Sequence, residues 1–330
     1  MLSKTKTLSK YKFIDLFAGI GGFHYALSSF GAKCVYASEW DEYAQKTYWQ
    51  NFGIVPDGDI TKVEESNIPQ HDILCAGFPC QAFSISGKQK GFEDTRGTLF
   101  FDIARITKYH RPKVLFLENV KNLLRHNNGN TFQIISQTLQ ELDYNVFFKI
   151  LNTGEFGLPQ HRERVYIVAF RKDLKNKNLF CFPSKKIVSC LENVLEKHPN
   201  NAKIIERNDI MINKNFNNPH TLFEDFKYPN KPIQIGFINK GGQGERIYHP
   251  AGHAITLSAY GGGVGAKTGL YLVNGKVRKL SPRECARLQG FPDSFKINEN
   301  LNQAYKQFGN SVSINVLQYI LFEIEKVLLS

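Results

Sequence analysis

Apolar positions in the first half of the chain form short β-rich runs that alternate with helical spacing. Residues 12–17 (KFIDLF) predict a strand, the glycine-rich AGIGG a tight turn, and residues 23–29 a helix. Residues 34–38 (CVYAS) predict a second strand, and 41–52 a helix whose first turn carries Asp41 and Glu42, where carboxylates suit the helix dipole. Residues 72–76 (DILCA) predict a third strand, followed by a long polar loop over 77–97. A helix over 98–110 leads through Arg111-Pro112 to the strand 114–118 (VLFLE). A helix over 132–142 and strands over 145–151 and 164–170 complete the run. Strand–helix alternation with β-branched strands means a mostly parallel sheet covered on both faces. The fold expected is α/β and doubly wound.

After about residue 171 the texture changes. Residues 171–232 are rich in Lys, Asn and Pro with weak periodicity, which reads as a variable connection. Residues 236–275 hold 11 of the chain's 26 glycines, between strand-like pieces IGFI, AITLSA and LYLV. Such density means tight turns and close backbone approach, so a second, smaller, irregular β-rich module is expected. Ser281-Pro282-Arg283-Glu284 opens a helix, with Ser at the N-cap, Pro at the first position and Glu at the third as a capping box. Residues 315–329 have apolar residues at helical spacing and are expected to pack back on the first domain, making it discontinuous.

Composition narrows the partners. Lys and Arg number 42 against 30 Asp and Glu, a net charge of +12, which excludes an acidic solvating protein and favours a polyanion. Six sparse cysteines (34, 75, 80, 181, 190 and 285) form no CxxC pair and no disulfide framework, so reduced thiols in a cytoplasmic protein are expected. No apolar stretch approaches membrane-spanning length. The nine histidines show no metal-ligand spacing, so no metal is expected, and most are read as surface residues.

Candidate chemistry gathers at predicted strand ends. Phe17, Gly19, Gly21 and Gly22 lie in the first strand–helix turn, where glycine lets backbone approach a cofactor. The dinucleotide pattern GxGxxG is not satisfied, because His24 takes its third glycine position. Glu39 follows the second strand, 20 residues after Gly19, where a carboxylate accepts from ribose hydroxyls. Trp40 is placed to stack on a purine, and Asp59-Ile60 to meet an adenine edge. These features imply an adenosine-containing cofactor but leave NAD and S-adenosylmethionine both open. Cys80, in Gly77-Phe78-Pro79-Cys80-Gln81, stands just beyond the third strand, where open α/β sheets bind ligands. Cys75, inside that strand, is expected in the core. Glu118 ends the next strand, and Arg162 and Arg164 share one side of an extended segment. A nucleophile, an acid and two cationic anchors are thus expected to converge beside the cofactor.

With these residues in place, the sequence resembles the DNA (cytosine-5)-methyltransferases of bacterial restriction–modification systems. The motifs FIDLFAGIGG, SEWDEYA, GDIT, LCAGFPCQAFS, ENVKN, QHRERVYIVAF, RKLSPRECARLQGFP and QAYKQFGNSV occur in that family's order. The likeness reaches into the recognition region through GGQGERIY and AITLSAYGGG, which implies a GCGC core within duplex DNA. It implies a Rossmann-like catalytic and cofactor-binding domain over 1–185 plus 306–330, and a target-recognition domain over 186–305. It also implies S-adenosylmethionine as cofactor, held by Phe17, Glu39, Trp40, Asp59, Ile60, Pro79, Leu99 and Asn310. By the same likeness Cys80 is the nucleophile toward cytosine carbon-6, Glu118 holds the ring nitrogen and amine, and Arg164 anchors the carbonyl. Ser84 and Ser86 belong to a lid over 83–97 that closes on DNA, around a base flipped out of the duplex. Gln243, Arg246, Thr256, Tyr260 and Gly263 are implied at the DNA surface, with Arg246 suited to a bidentate pair with guanine. A restriction endonuclease acting on the same site is implied without a stable complex, and the enzyme is expected as a monomer.

The sequence departs from the family pattern at His161, at 249–253 and through 172–232, which leaves the bases flanking the core open. Three rival readings fit less well. A nicotinamide-dependent oxidoreductase leaves Cys80, Glu118 and the Arg motif unexplained. A non-enzymatic regulator has no use for Cys80 and Glu118 together. An RNA (tRNA) cytosine-5 methyltransferase shares the thiolate chemistry but not the recognition motifs.

Overall fold

The computed structural model describes residues 7–79, 99–213 and 230–330. The chain divides into two compact units, the first of Met1–Leu151, Glu163–Pro183 and Val316–Ser330, the second of Asn152–Arg162 and Ser184–Asn315. The second unit thus takes 152–162, 184–185 and 306–315, segments that the sequence reading placed in its first domain.

Six strands build the sheet of the first unit: β1 (Lys12–Leu16), β2 (Lys33–Ser38), β3 (Ile73–Gly77), β4 (Val114–Val120), β5 (Tyr144–Asn152) and β6 (Glu163–Arg171). Their order is β2-β1-β3-β4-β6-β5. β1 pairs in parallel with β2 and β3, and β3 with β4, whereas β6 runs antiparallel to β4. Helices α1 (Gly22–Ser29), α2 (Glu42–Phe52), α3 (Leu99–His110) and α4 (Asn130–Glu141) connect them. Each falls within two residues of its sequence-predicted span, because the apolar runs and their polar breaks agree. Asp41 is not helical but caps α2, accepting from the Ala44 N–H at 3.1 Å.

Alternate residues of β1, β3, β4 and β6 (Ile14, Leu16, Leu74, Leu115, Leu117, Ile167) are fully buried with Phe100 and Ile103 of α3 and Ile135 and Leu139 of α4. Residues of the opposite parity are buried too, Phe116 meeting Phe23 of α1 edge-on at 5.1 Å. Burial on both faces is why these strands read as continuous apolar runs.

Among the described residues the second unit has five short strands: β7 (Met211–Ile212), β8 (Ile233–Phe237), β9 (Arg246–His249), β10 (Leu270–Val273) and β11 (Lys276–Arg278). They lie in the order β11-β10-β9-β8-β7 around a small core of Ile235, Ile238, Ile247, Leu270 and Val277. Helices α5 (Pro282–Gln289) and α6 (Leu301–Asn310) follow. The closing helix α7 (Ile314–Leu329) begins in this unit and runs into the first, where Gln318 donates to the Ser29 hydroxyl at 2.9 Å and the Tyr11 hydroxyl to the Leu328 carbonyl at 2.6 Å. The expected discontinuity of the first unit arises from that return.

IGFI and LYLV fall in β8 and β10 with their flanks, but AITLSA (254–259) is not a strand. It makes a single bridge, Ala254 to Gln160, and side chains bond much of the rest of its backbone. Leu257 N–H donates to Gln160 Oε1 at 3.1 Å, Leu257 O accepts from Arg162 at 3.1 Å, and Ile255 N–H donates to the Tyr271 hydroxyl at 3.1 Å. The capping box at Ser281 forms as expected and is extended by a buried ion pair. Glu284, wholly buried, accepts from Ser281 N–H, from the Glu196 N–H and from both terminal nitrogens of Arg278, all at 2.8–2.9 Å.

The histidines correct the sequence reading, for His24, His71, His110, His249 and His253, five of the nine, are buried. A neutral imidazole needs few partners. His24 Nδ1 meets the Tyr48 hydroxyl at 2.7 Å while its ring stacks on Phe52, and His71 Nδ1 meets the Pro69 carbonyl at 2.8 Å. Burial holds His24, His71 and His253 down to about 4. Among the described residues no group of three His, Cys, Asp or Glu is placed to hold a metal ion. Cys75 lies in the core as expected.

Two outcomes follow. Glu284→Ala leaves Arg278 buried without its partner and should cost about 3–5 kcal/mol in denaturant unfolding. A histidine held neutral in the fold but protonated below 6.5 when unfolded favours the unfolded chain in acid. Stability should therefore fall as pH drops from 6.5 toward 4, in a window above the range where Asp173 and Asp293 titrate, and unfolding midpoints measured at pH 7, 6 and 5 check it.

Candidate active site

The carboxyl ends of β1, β2, β3 and β4 carry most of the candidate residues in the first unit. The turn after β1 takes left-handed backbone at Phe17 (φ 54°), Gly19 (φ 55°) and Gly21 (φ 85°). Such strain in a non-glycine residue like Phe17 marks a constrained turn. A Cβ on Gly21 would stand 2.2 Å from the Phe52 ring, so side chains are excluded there. Among the described residues a Cβ on Gly19 would meet nothing within 4 Å, which leaves room for a ligand on this side of the turn.

Glu39 ties the turn to the end of β2. Its Oε2 accepts from the Gly19 N–H at 2.8 Å and its Oε1 from the Asp41 N–H at 2.9 Å. Each carboxylate oxygen has a second lone pair, which suits hydroxyls of a sugar. Burial raises the Glu39 carboxyl above its ordinary range, and the backbone donors pull it back. Trp40, beside it, is 82% exposed, its indole face available. Ile60 is buried, and Asp59 accepts from the Thr61 N–H and hydroxyl, which lower its carboxyl. Two connections place this segment. Glu39 N–H donates to the Asp57 carbonyl at 2.8 Å, and Arg105 of α3 donates to the Ile60 and Val63 carbonyls at 2.7 and 2.9 Å. Arg105 was not singled out from the sequence, since an Arg on an amphipathic helix has no distinguishing signal.

At the end of β4, Glu118 lies in register with Gly77 of β3 and opposite Tyr166 of β6. Arg164 pairs opposite Val120, two residues on, so Glu118 and Arg164 are diagonal neighbours on one face. Arg164 Nε stands 3.2 Å from Glu118 Oε1, with both side chains largely buried. The guanidinium offsets the cost of holding that carboxylate away from water. Asn119 turns the other way and donates to the Phe78 carbonyl at 2.8 Å, tying the β4 end to the chain two residues before Cys80. Asn119 stands in the ENVKN motif, where sequence alone points to no role for it. Lys121 pairs with Glu163 on the outer side.

Arg162 does not share this face. It precedes β6 in a bend where its N–H reaches the Gln160 carbonyl at 3.0 Å, so strand alternation does not extend to it. Its guanidinium is buried in the second unit, donating to the carbonyls of Leu257 (3.1 Å), Gly309 (3.3 Å) and Ser311 (2.6 Å). The expectation of two anchors side by side therefore resolves into one ion pair and one backbone clamp. A Cβ on Gly309 would stand 2.3 Å from Ala259 N, which shows how closely the clamped segments meet.

In the second unit Gln243, Arg246, Tyr260 and Gly263 are exposed, Tyr260 by 74%. Gly244 and 261–265 bring two glycine turns together, the Gly265 N–H donating to the Gly244 carbonyl at 2.8 Å. Thr256 is half-buried, and its hydroxyl donates to the His161 carbonyl at 2.5 Å. Asn310 is exposed at the end of α6 in the same unit. Pro79 is exposed and Leu99 half-buried at the start of α3. Cys80, Ser84, Ser86 and the expected lid over 83–97 lie outside the described residues.

Comparison with known proteins gives this geometry a family. Residues 11–326 match the model of the C-5 cytosine-specific DNA methylases. The Type II methyltransferase M.HhaI of Haemophilus parahaemolyticus is 56% identical over 323 residues, covering 97% of this chain and 96% of that protein. M.HpaII of Haemophilus parainfluenzae is 46% identical over 321 residues, covering 94% and 87%. The S. pombe Dnmt2 methyltransferase structure, at 21% identity, shares the fold with a TM-score of 0.70 over 97% of this chain and 99% of its own. The open glycine turn, the Glu118–Arg164 edge and these likenesses agree: the chain belongs to the C-5 cytosine-specific DNA methylases, enzymes that use S-adenosylmethionine to methylate carbon-5 of cytosine in DNA.

Proposed function

We propose that the enzyme methylates the inner cytosine of a GCGC core in duplex DNA, protecting the host's DNA in the cytoplasm from an endonuclease that cuts the same site. It acts as a monomer and forms no stable complex with that endonuclease. The Glu118–Arg164 pair, fixed one strand from the segment that leads into Cys80, is the observation that carries the reading of this site. The recognition motifs GGQGERIY and AITLSAYGGG support the GCGC core.

Carbon-5 of cytosine is a weak nucleophile. In the proposed mechanism the Cys80 thiolate adds to carbon-6 and makes the ring an enamine. Glu118 holds ring nitrogen-3 and the exocyclic amine, and supplies a proton or hydrogen bond as charge develops. Arg164 orients the Glu118 carboxylate and anchors the cytosine carbonyl. Bound S-adenosylmethionine supplies an electrophilic methyl on its sulfonium. Phe17, Gly19, Gly21, Gly22, Glu39, Trp40, Asp59, Ile60, Pro79, Leu99 and Asn310 are the residues proposed to hold it. The open side of the Gly19 turn and the spare lone pairs of Glu39 suit such a nucleoside. After transfer, loss of the carbon-5 proton lets the thiolate leave. Arg162 acts at one remove, holding the backbone of Leu257, Gly309 and Ser311. Gln243, Arg246, Thr256, Tyr260 and Gly263, with Ser84 and Ser86, meet the DNA, and the domain split of 1–185 plus 306–330 against 186–305 describes these two tasks.

Methylated-base mapping of DNA treated with enzyme and S-adenosylmethionine should find 5-methylcytosine at GCGC. The same assay with Cys80→Ser should find none while a gel-shift assay shows DNA still bound. Turnover by that variant would refute the covalent route. Glu118→Gln should lower kcat by roughly 10²–10⁴-fold in single-turnover measurements, with cofactor affinity unchanged.

A further inference from the structure

The loop of 238–245 between β8 and β9 carries Gln243 and leads into Arg246, and side chains add to the backbone bonds that shape it. It consists of two successive turns, closed by Gly241 N–H to the Ile238 carbonyl (3.0 Å) and Glu245 N–H to the Gly242 carbonyl (2.9 Å). The Ile238 N–H also donates to the Glu245 carbonyl at 2.9 Å and the Gly265 N–H to the Gly244 carbonyl at 2.8 Å, but with glycine at 241, 242 and 244 these bonds leave the tip of the loop more conformational freedom than other residues would. Side chains narrow that freedom. Glu245 Oε2 accepts from the Gly242 N–H at 2.8 Å, and Oε1 from Asn239 Nδ2 at 2.7 Å.

Asn239, held in left-handed backbone (φ 48°), is gripped in turn from outside the loop. Its N–H donates to Asp209 Oδ2 at 3.1 Å, and its Oδ1 accepts from Arg207 Nη2 at 2.7 Å. Arg207 and Asp209 form a two-pronged ion pair at 2.7 and 2.8 Å. The chain of contacts thus runs from Arg207–Asp209, through Asn239 and Glu245, to the tip of the turn beside Gln243. Both acids are stabilised in their ionised form, Asp209 being lowered to about 2 by Arg207 and Glu245 by Asn239 and the Gly242 N–H. The network therefore stays charged through neutral pH.

We infer that Arg207 and Asp209 are specificity-positioning residues, which set the loop that aims Gln243 and Arg246 and so govern discrimination between DNA sites without touching a base. The inference rests on the reading above that Gln243 and Arg246 meet DNA. Its physical ground is the geometry of guanine recognition, in which two parallel hydrogen bonds from one guanidinium demand a fixed approach. Arg246 takes its aim from the loop, since its Nε lies 3.4 Å from the Gly241 carbonyl. Freeing Asn239 releases Glu245 and lets the turn sample other shapes. The segment that carries this pair is the one whose composition reads as a variable connection.

Arg207 and Asp209 are each more than one third exposed, so replacing them spares the core. The test uses oligonucleotide duplexes bearing GCGC and duplexes with one outer guanine replaced, and compares kcat/KM ratios. In Asp209→Ala and Arg207→Ala the ratio should fall about three- to tenfold, with kcat at saturating GCGC duplex and the melting temperature unchanged. Asp209→Asn, which keeps an acceptor for the Asn239 N–H, should retain more of the ratio than Asp209→Ala. Arg246→Ala is the reference and should lose roughly tenfold or more. Unchanged ratios in both alanine variants, beside a loss in Arg246→Ala, would overturn the inference. An unchanged ratio in Arg246→Ala as well would remove the DNA-reading assignment of the loop itself.

Discussion

A carboxylate held at the end of a buried strand is the constraint around which the first unit is arranged. Glu118 is largely withdrawn from water, and a lone ion there is costly. The reversal of β6 against β4 brings Arg164 diagonally opposite, so the charge is met by a guanidinium with little freedom to move. Parallel β3 sets the segment toward Cys80 beside the same edge, and Asn119 fastens the two strand ends through the Phe78 carbonyl. A reacting group placed there inherits the rigidity of the sheet, which is what a mechanism dependent on orientation needs.

The second unit solves a different problem. Its strands are short, its core is small, and its loops are rich in glycine. Polar side chains take over the task that ladders perform elsewhere. Gln160 and Arg162 bond the backbone of Leu257, Gln289 bonds the Phe308 carbonyl, and Glu284 gathers Arg278, Ser281 and Glu196. Buried networks of this kind are stringent, because each member left without its partner carries a desolvation cost. Irregular backbone can then be held in one shape while still presenting loops to a ligand.

Much of this was legible beforehand. The alternation of apolar runs located the strands of the first sheet to within two residues, and the glycine turn, Glu39 and Glu118 stood at strand ends as their spacing required. Other features were hidden for identifiable reasons. Arg162 and Arg164 look equivalent in an extended chain, but a bend at Gln160–Arg162 ends the alternation. AITLSA has strand composition, yet it makes only an isolated bridge, and Ile255 and Leu257 bond to side chains distant in the chain. Buried histidines look like surface ones, because a neutral imidazole needs only a carbonyl or hydroxyl nearby, and no local pattern announces it.

By itself the sequence determined the periodic elements, the family motifs and the chemistry those motifs imply, because strand and helix periods and glycine turns are local properties of the chain. The tertiary structure alone decided which charges meet. Glu118 finds Arg164 rather than Arg162, and Arg207 and Asp209 find Asn239, 32 and 30 residues on. Such pairings depend on strand register and on which backbone groups lack a ladder partner, and both are settled only when distant segments pack.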